Sequence, residues 1–127
     1  MRRKMIPTKV LVVDDDAPTR AAYAALLVDC GFEVLEARHG GEAILQVHRY
    51  RPRVILMDML MPVLDGARTA EALRQRAMTA ETRILGVTAA SDGERERMRL
   101  HCDDIVEKPC TGSEIVERIR ALVGEPA

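Results

Sequence analysis

The sequence predicts an α/β protein of the (βα)5 type: a doubly wound parallel sheet with helices on both faces. Five short apolar runs punctuate the chain, at 10–13, 32–37, 54–57, 84–87 and 105–106. Segments with helical periodicity separate these runs, and such alternation implies βαβ crossovers and a parallel sheet. The first, third and fourth runs are continuous and rich in β-branched residues, as strands buried on both faces are.

Each element has its own local reason. Val10-Leu-Val-Val13 forms the first strand. A helix is expected over about 17–30, because Pro18 suits a first turn and Gly31 suits the position just past the end. Its apolar stripe is expected at Ala22, Leu26 and Cys30, with Ala25 beside them. The second strand sets Phe32, Val34 and Leu35 against Glu33 and Glu36, which reads as an edge or near-edge strand. A second helix covers about 41–49 and ends ahead of Arg51-Pro52, since proline disfavours a helical residue before it. A third runs over about 66–77 after Asp65-Gly66. A fourth, over about 92–101, carries opposite charges three residues apart at Asp92/Arg95, Glu94/Arg97 and Glu96/Arg99. The fifth starts at Thr111-Gly-Ser-Glu114, a capping-box spacing, and buries Ile115, Ile119, Leu122 and Val123.

Composition narrows the function. The 127 residues suit one domain, with a core over about 9–123, and the Met1 start with a full fifth helix favours a stand-alone protein over a fragment. Only three residues are aromatic, so platforms for stacking single-stranded bases are missing. The net charge of −1 gives no long-range positive field for a phosphate backbone, and no nucleic-acid partner is expected. No apolar run reaches membrane-spanning length. The apolar stretch after Met-Arg-Arg-Lys stops at Val13 against three aspartates, so no signal peptide forms. Cys30, Cys102 and Cys110 are odd in number and lack a CxxC, which points to a reducing, cytoplasmic compartment.

The informative polar residues fall at strand ends. Asp14 and Asp15 follow the first strand, Asp58 the third, Thr88 the fourth, and Lys108-Pro109 the fifth. In an open parallel sheet, sites form outside the carboxyl ends of strands. Three converging carboxylates repel one another, and Lys108 alone does not compensate them. Mg²⁺ does, and it leaves room for waters and phosphate oxygens. A carboxylate beside a metal, an ammonium and a hydroxyl is equipped to accept a phosphoryl group as nucleophile.

These segments resemble the receiver domain of two-component response regulators, of which the chemotaxis regulator is a familiar kind. The matching stretches are Val10-Leu-Val-Val-Asp-Asp-Asp16, Val54 to Gly66, Val87-Thr-Ala-Ala90 and Val106-Glu-Lys-Pro109. The resemblance implies a flavodoxin-like fold with strand order 2-1-3-4-5. It makes Asp58 the phosphoacceptor, Asp15 a direct Mg²⁺ ligand and Asp14 a ligand through water. The carbonyl of Leu60 completes the metal set, and Thr88 and Lys108 engage the phosphoryl oxygens. It implies a cis bond before Pro109. It also implies a histidine kinase or histidine phosphotransfer protein as donor. Output then passes to a downstream protein through the fourth helix, fifth strand and fifth helix, and homodimer formation stays open.

Two other readings stand beside this one. Asp14-Asp15-Asp16 satisfies the Asp-x-Asp of haloacid dehalogenase-like phosphohydrolases, although Lys108 then follows the acidic pair Asp103-Asp104 and Asp58 has no role. A degenerate receiver acting only as a binding module is the other. The chain also departs from the family. Ile105 stands where a switch aromatic is common, so an aromatic–threonine switch is in question. Leu60 and Ala90, two residues beyond Asp58 and Thr88, cannot orient an attacking water through a side chain. Slow self-dephosphorylation is therefore expected, and a phospho-lifetime of only seconds would overturn it.

Overall fold

Parity along the strands dictates how this chain folds. Successive strand side chains point to opposite faces, and here both sets are apolar. Leu11, Val13, Ile55, Met57 and Ile84 face one way, and Val10, Val12, Val54, Leu56, Leu85 and Val87 the other. Such strands need cover on both sides. The computed structural model, which describes residues 6–58, 66–75, 81–89, 96, 99 and 101–124, supplies it.

The strands are β1 (Lys9–Val13), β2 (Glu33–Ala37), β3 (Val54–Asp58), β4 (Arg83–Thr88) and β5 (Asp104–Glu107). They form one parallel sheet in the order β2-β1-β3-β4-β5, the expected order. The described helices are α1 (Ala17–Asp29), α2 (Gly40–Tyr50), α3 (Gly66–Arg74) and α4 (Gly112–Val123). Ala43 and Val47 of α2 and Ala70 and Leu73 of α3 complete one core layer. Leu27 of α1 and Ile115, Val116, Ile119 and Val123 of α4 complete the other. The helix expected at 92–101 and its charge pairs lie almost wholly outside the described residues.

Caps set the helix ends. The Asp16 carboxylate accepts from the Thr19 amide at 3.1 Å, and the Thr111 hydroxyl accepts from the Glu114 amide at 3.1 Å. His39 caps α2 with Nδ1, which accepts from the Glu42 amide at 3.2 Å. Gly31, at φ 92°, turns the chain from α1 into β2. Arg51 closes α2 in the left-handed region at φ 47°, just ahead of Pro52.

The α1 face differs from expectation. Ala22 and Ala25 are exposed, Leu27 is fully buried, and Tyr23, Leu26 and Cys30 pack beside it. The helix is mostly alanine and leucine, so its periodicity carries little contrast. The larger side chains then win the interior because they remove more apolar area from water. Val116 likewise joins the buried face of α4. The α3 helix ends at Arg74, short of the expected 77.

Arg74 ends α3 by tying it to the segments that lead into β4 and β5. Its guanidinium donates to the Thr82 carbonyl at 2.6 Å and the His101 carbonyl at 3.3 Å, and pairs with Asp103. Asp103 in turn accepts from the Ile84 amide at 2.8 Å. Cys102 sits beside this hub, where burial pushes its thiol up to about 12.

Two stability tests follow from this packing. Ile55→Ala should cost about 2–5 kcal/mol and Thr111→Ala about 1 kcal/mol, read as lowered denaturant midpoints at unchanged m. Cys102 sets a pH dependence. Its thiol titrates higher in the folded chain than in the unfolded one, where it ionises near roughly 8.5. Above that pH the unfolded chain has shed a proton that the folded chain keeps, so stability falls as pH rises. Cys102→Ala should flatten that alkaline loss in urea melts taken at increasing pH.

Candidate functional site

The strand ends meet at the carboxyl rim of the sheet. From β1 the chain turns outward to β2 and then crosses to β3 on the other side, so strand order reverses around β1. Asp14 leaves β1 here, Asp58 ends β3, Thr88 ends β4, and Lys108 follows β5. One carboxylate oxygen from each of Asp14, Asp15 and Asp58 lies within 4.8 Å of the others.

The backbone holds Asp14 firmly. Its amide donates to the Ala37 carbonyl of β2 at 3.1 Å, and its carbonyl accepts from Arg20 Nη1 at 2.9 Å. Arg20 is itself fixed by Glu36 at 3.1 Å. The Asp14 carboxylate accepts from the Asp16 amide at 2.9 Å and is only 2% exposed. Burial raises its pKa above the ordinary carboxylate value, and the charges of Asp58 and Asp15 add to this. The Asp16 amide and Lys108 pull the other way without reversing it. Asp15 is exposed and Asp58 half-buried, so the cluster opens to solvent on one side. Three hard oxygen donors suit a small divalent cation, and this set fits Mg²⁺.

Thr88 and Lys108 are coupled through the sheet. Thr88 is buried, and its carbonyl accepts from the Lys108 amide at 2.7 Å. The Lys108–Pro109 bond is cis, as the resemblance implied. Ile105 is half-buried and packs with the α2–α3 core layer, on the face that Gly86 and Thr88 share by strand parity. Leu60 and Ala90 lie outside the described residues.

Two neighbours of the site escaped the sequence reading. Arg20 looked like one basic residue among many, yet it braces the Asp14 backbone. Tyr23 bonds Cys110, two residues beyond Lys108. Burial, and then the negative charges around it, push its phenol up to about 12, so it stays neutral. That Tyr23 is one of only three aromatics was the available signal.

A parallel five-stranded sheet with an acidic cluster, a buried threonine and a lysine at its carboxyl rim defines a receiver-type domain. Residues 10–120 match the response regulator receiver domain family, and the chain belongs to it: it is a receiver domain of two-component signalling. The phosphohydrolase reading is set aside on that ground. The phosphate regulon transcriptional regulatory protein PhoB of Pseudomonas aeruginosa is 31% identical over 121 residues, covering 94% of this chain and 53% of PhoB. The transcriptional regulatory protein PrrA of Mycobacterium tuberculosis is 36% identical over 115 residues, covering 91% of this chain and 49% of PrrA. The chain therefore spans about half the length of these relatives. Among solved structures, Vibrio cholerae chemotaxis protein CheY4 superposes with a TM-score of 0.86 at 28% identity, covering 92% of this chain and 99% of that one. The receiver domain of sensor histidine kinase PA1611 from Pseudomonas aeruginosa superposes with a TM-score of 0.86 at 27% identity, covering 94% of this chain and 100% of that one. That structure holds a magnesium ion in its active-site cleft. No helix among the described residues is long and apolar enough to cross a membrane.

The buried Asp14 charge should cost the metal-free domain stability. Asp14→Asn keeps an oxygen for the Asp16 amide and removes the repulsion, so it should melt a few degrees higher than the parent in metal-free buffer at neutral pH. A lower melting temperature in calorimetry would contradict this account.

Proposed function

We propose that Asp58 is the phosphoacceptor of this receiver, with Asp14, Asp15 and Asp58 as the carboxylates that hold Mg²⁺. The clustering of those three carboxylates around one point is the observation that carries the reading. The ion, when bound, offsets negative charge on the carboxylates and on the phosphoryl oxygens.

The chain's own residues supply the rest. Asp58 is the half-exposed member and offers its oxygen for in-line attack on phosphorus. The new bond is Asp58 O–P, the broken one is N–P of a phosphohistidine, and the leaving imidazole takes up a proton. Asp14, buried and already committed to the Asp16 amide, is placed to stay a fixed ligand. Lys108 brings positive charge to the oxygens of the transferred group, and Thr88 offers a hydroxyl at the neighbouring strand end. The Lys108 amide bond to the Thr88 carbonyl sets their spacing through the backbone.

The donor is a histidine kinase or a histidine phosphotransfer protein, in the cytoplasm. The free thiols of Cys30, Cys102 and Cys110 accord with a reducing compartment. The receiver works as a switch whose phosphorylation shifts the population of a second conformation. The surface of β5 and α4, beside Lys108 in sequence, belongs to the face that presents the change to a downstream protein.

Labelling tests the assignment. Incubation with labelled acetyl phosphate and Mg²⁺ should place label on Asp58, and Asp58→Asn should abolish it. Lys108→Ala should slow labelling by roughly 10²-fold, the usual effect of losing one group that stabilises transferring charge. Label on Asp14, or labelling that persists without divalent cation, would refute the reading.

A further inference from the structure

The amino edge of the sheet, opposite the acidic rim, holds a cavity of about 740 Å³. Three separate segments build it: the turn from α2 into β3, the entry to β4, and the last turn of α4 with Gly124. Its volume falls in the range of small-molecule sites. Three arginines line it, Arg51, Arg53 and Arg83, against one acid, Glu81.

The arginines are not all explained by the fold. Arg53 donates to the Val123 carbonyl at 3.0 Å and so caps the end of α4. Arg83 reaches Asp103 at 3.4 Å, a long contact that leaves most of its donors open. The Arg51 guanidinium has no partner among the described residues. Arg51 is also held in the left-handed region at the helix end, a conformation that costs a side-chain-bearing residue energy. Each guanidinium carries five N–H donors in a planar fork that matches phosphate oxygens in pairs.

We infer that this amino edge is a second, anion-binding site, built by Arg51, Arg53 and Arg83, for a small ligand bearing a chain of phosphates. A single monoanion would leave most of the donors unused, whereas a polyphosphate presents oxygens to three forks at once. Pro52 and Leu122 form the apolar side of the cavity, against which the non-phosphate part of a nucleotide would rest. Glu81 opposes the anion and limits affinity. The site is independent of phosphorylation at Asp58, because it lies at the other end of the strands.

Calorimetric titration of the full chain with tripolyphosphate in metal-free buffer tests this. One saturable site is expected. Arg51→Ala, whose side chain holds nothing else in place, should weaken binding several-fold, and Arg51→Ala/Arg83→Ala about tenfold or more. Glu81→Gln should tighten it. Amide shifts on titration should move at Arg53, Thr82 and Gly124 and stay still at Thr88 and Lys108. A parallel titration with ATP identifies the source: tighter binding than tripolyphosphate assigns a nucleotide, and equal or weaker binding assigns the inorganic chain. Absence of saturation, unchanged affinity in the double variant, or shifts centred on Lys108 would overturn the inference.

Discussion

Repulsion among the carboxylates of Asp14, Asp15 and Asp58 is the constraint around which this molecule is arranged. Three negative groups within 4.8 Å do not gather of their own accord. Here the sheet compels them. Asp14 is held by β2 through the Ala37 carbonyl and by Arg20 through its own, and Asp58 is the last residue of β3 in register beside β4. The energy that enforces this arrangement comes from the apolar layers on both faces, which make the strand positions expensive to change. The carboxylates are thus held together by a core that lies on the faces of the sheet, away from its rim.

The same frame brings a lysine and a threonine to this rim. Both occupy ends of neighbouring strands, and a single backbone hydrogen bond links them. A displacement of β5 relative to β4 would be felt at both groups at once. Ile105 packs on the same face as Thr88, two residues before the strand's end, so both side chains belong to one layer of the core.

Much of this was legible in the sequence, for a physical reason. Strand ends are marked by the step from an apolar run to a polar residue, so Asp14, Asp58, Thr88 and Lys108 announced their common edge without any knowledge of contacts. Thr111-x-x-Glu114 was readable as a cap because capping acts between residues three apart. What stayed hidden depends on side chains distant in sequence or weak in contrast. The buried stripe of α1 was phased only in part among alanines and leucines: Leu26 and Cys30 pack inward, whereas Ala22 and Ala25 face solvent. Arg74 and Asp103 stand 29 residues apart, and nothing local in either segment points to the other. The Tyr23–Cys110 bond is of the same kind, as is the arginine-lined cavity, assembled from three segments. Leu60 and Ala90, read as part of the site or its turnover, fall outside the described residues.

The two edges of the sheet differ in sign, and this matters for a chain whose formal net charge is only −1. Carboxylates crowd one end of the strands and arginines the other, separated by roughly 17 Å, the length of a five-residue strand. Asp103 offsets part of Arg83, and Lys108 part of the acidic cluster, so what remains is a modest dipole along the strand axis and almost no monopole. In the field of a charged partner it experiences little net pull and a definite torque. Charge of this form turns the domain as it approaches rather than hastening its arrival, and it presents one chosen edge to each partner.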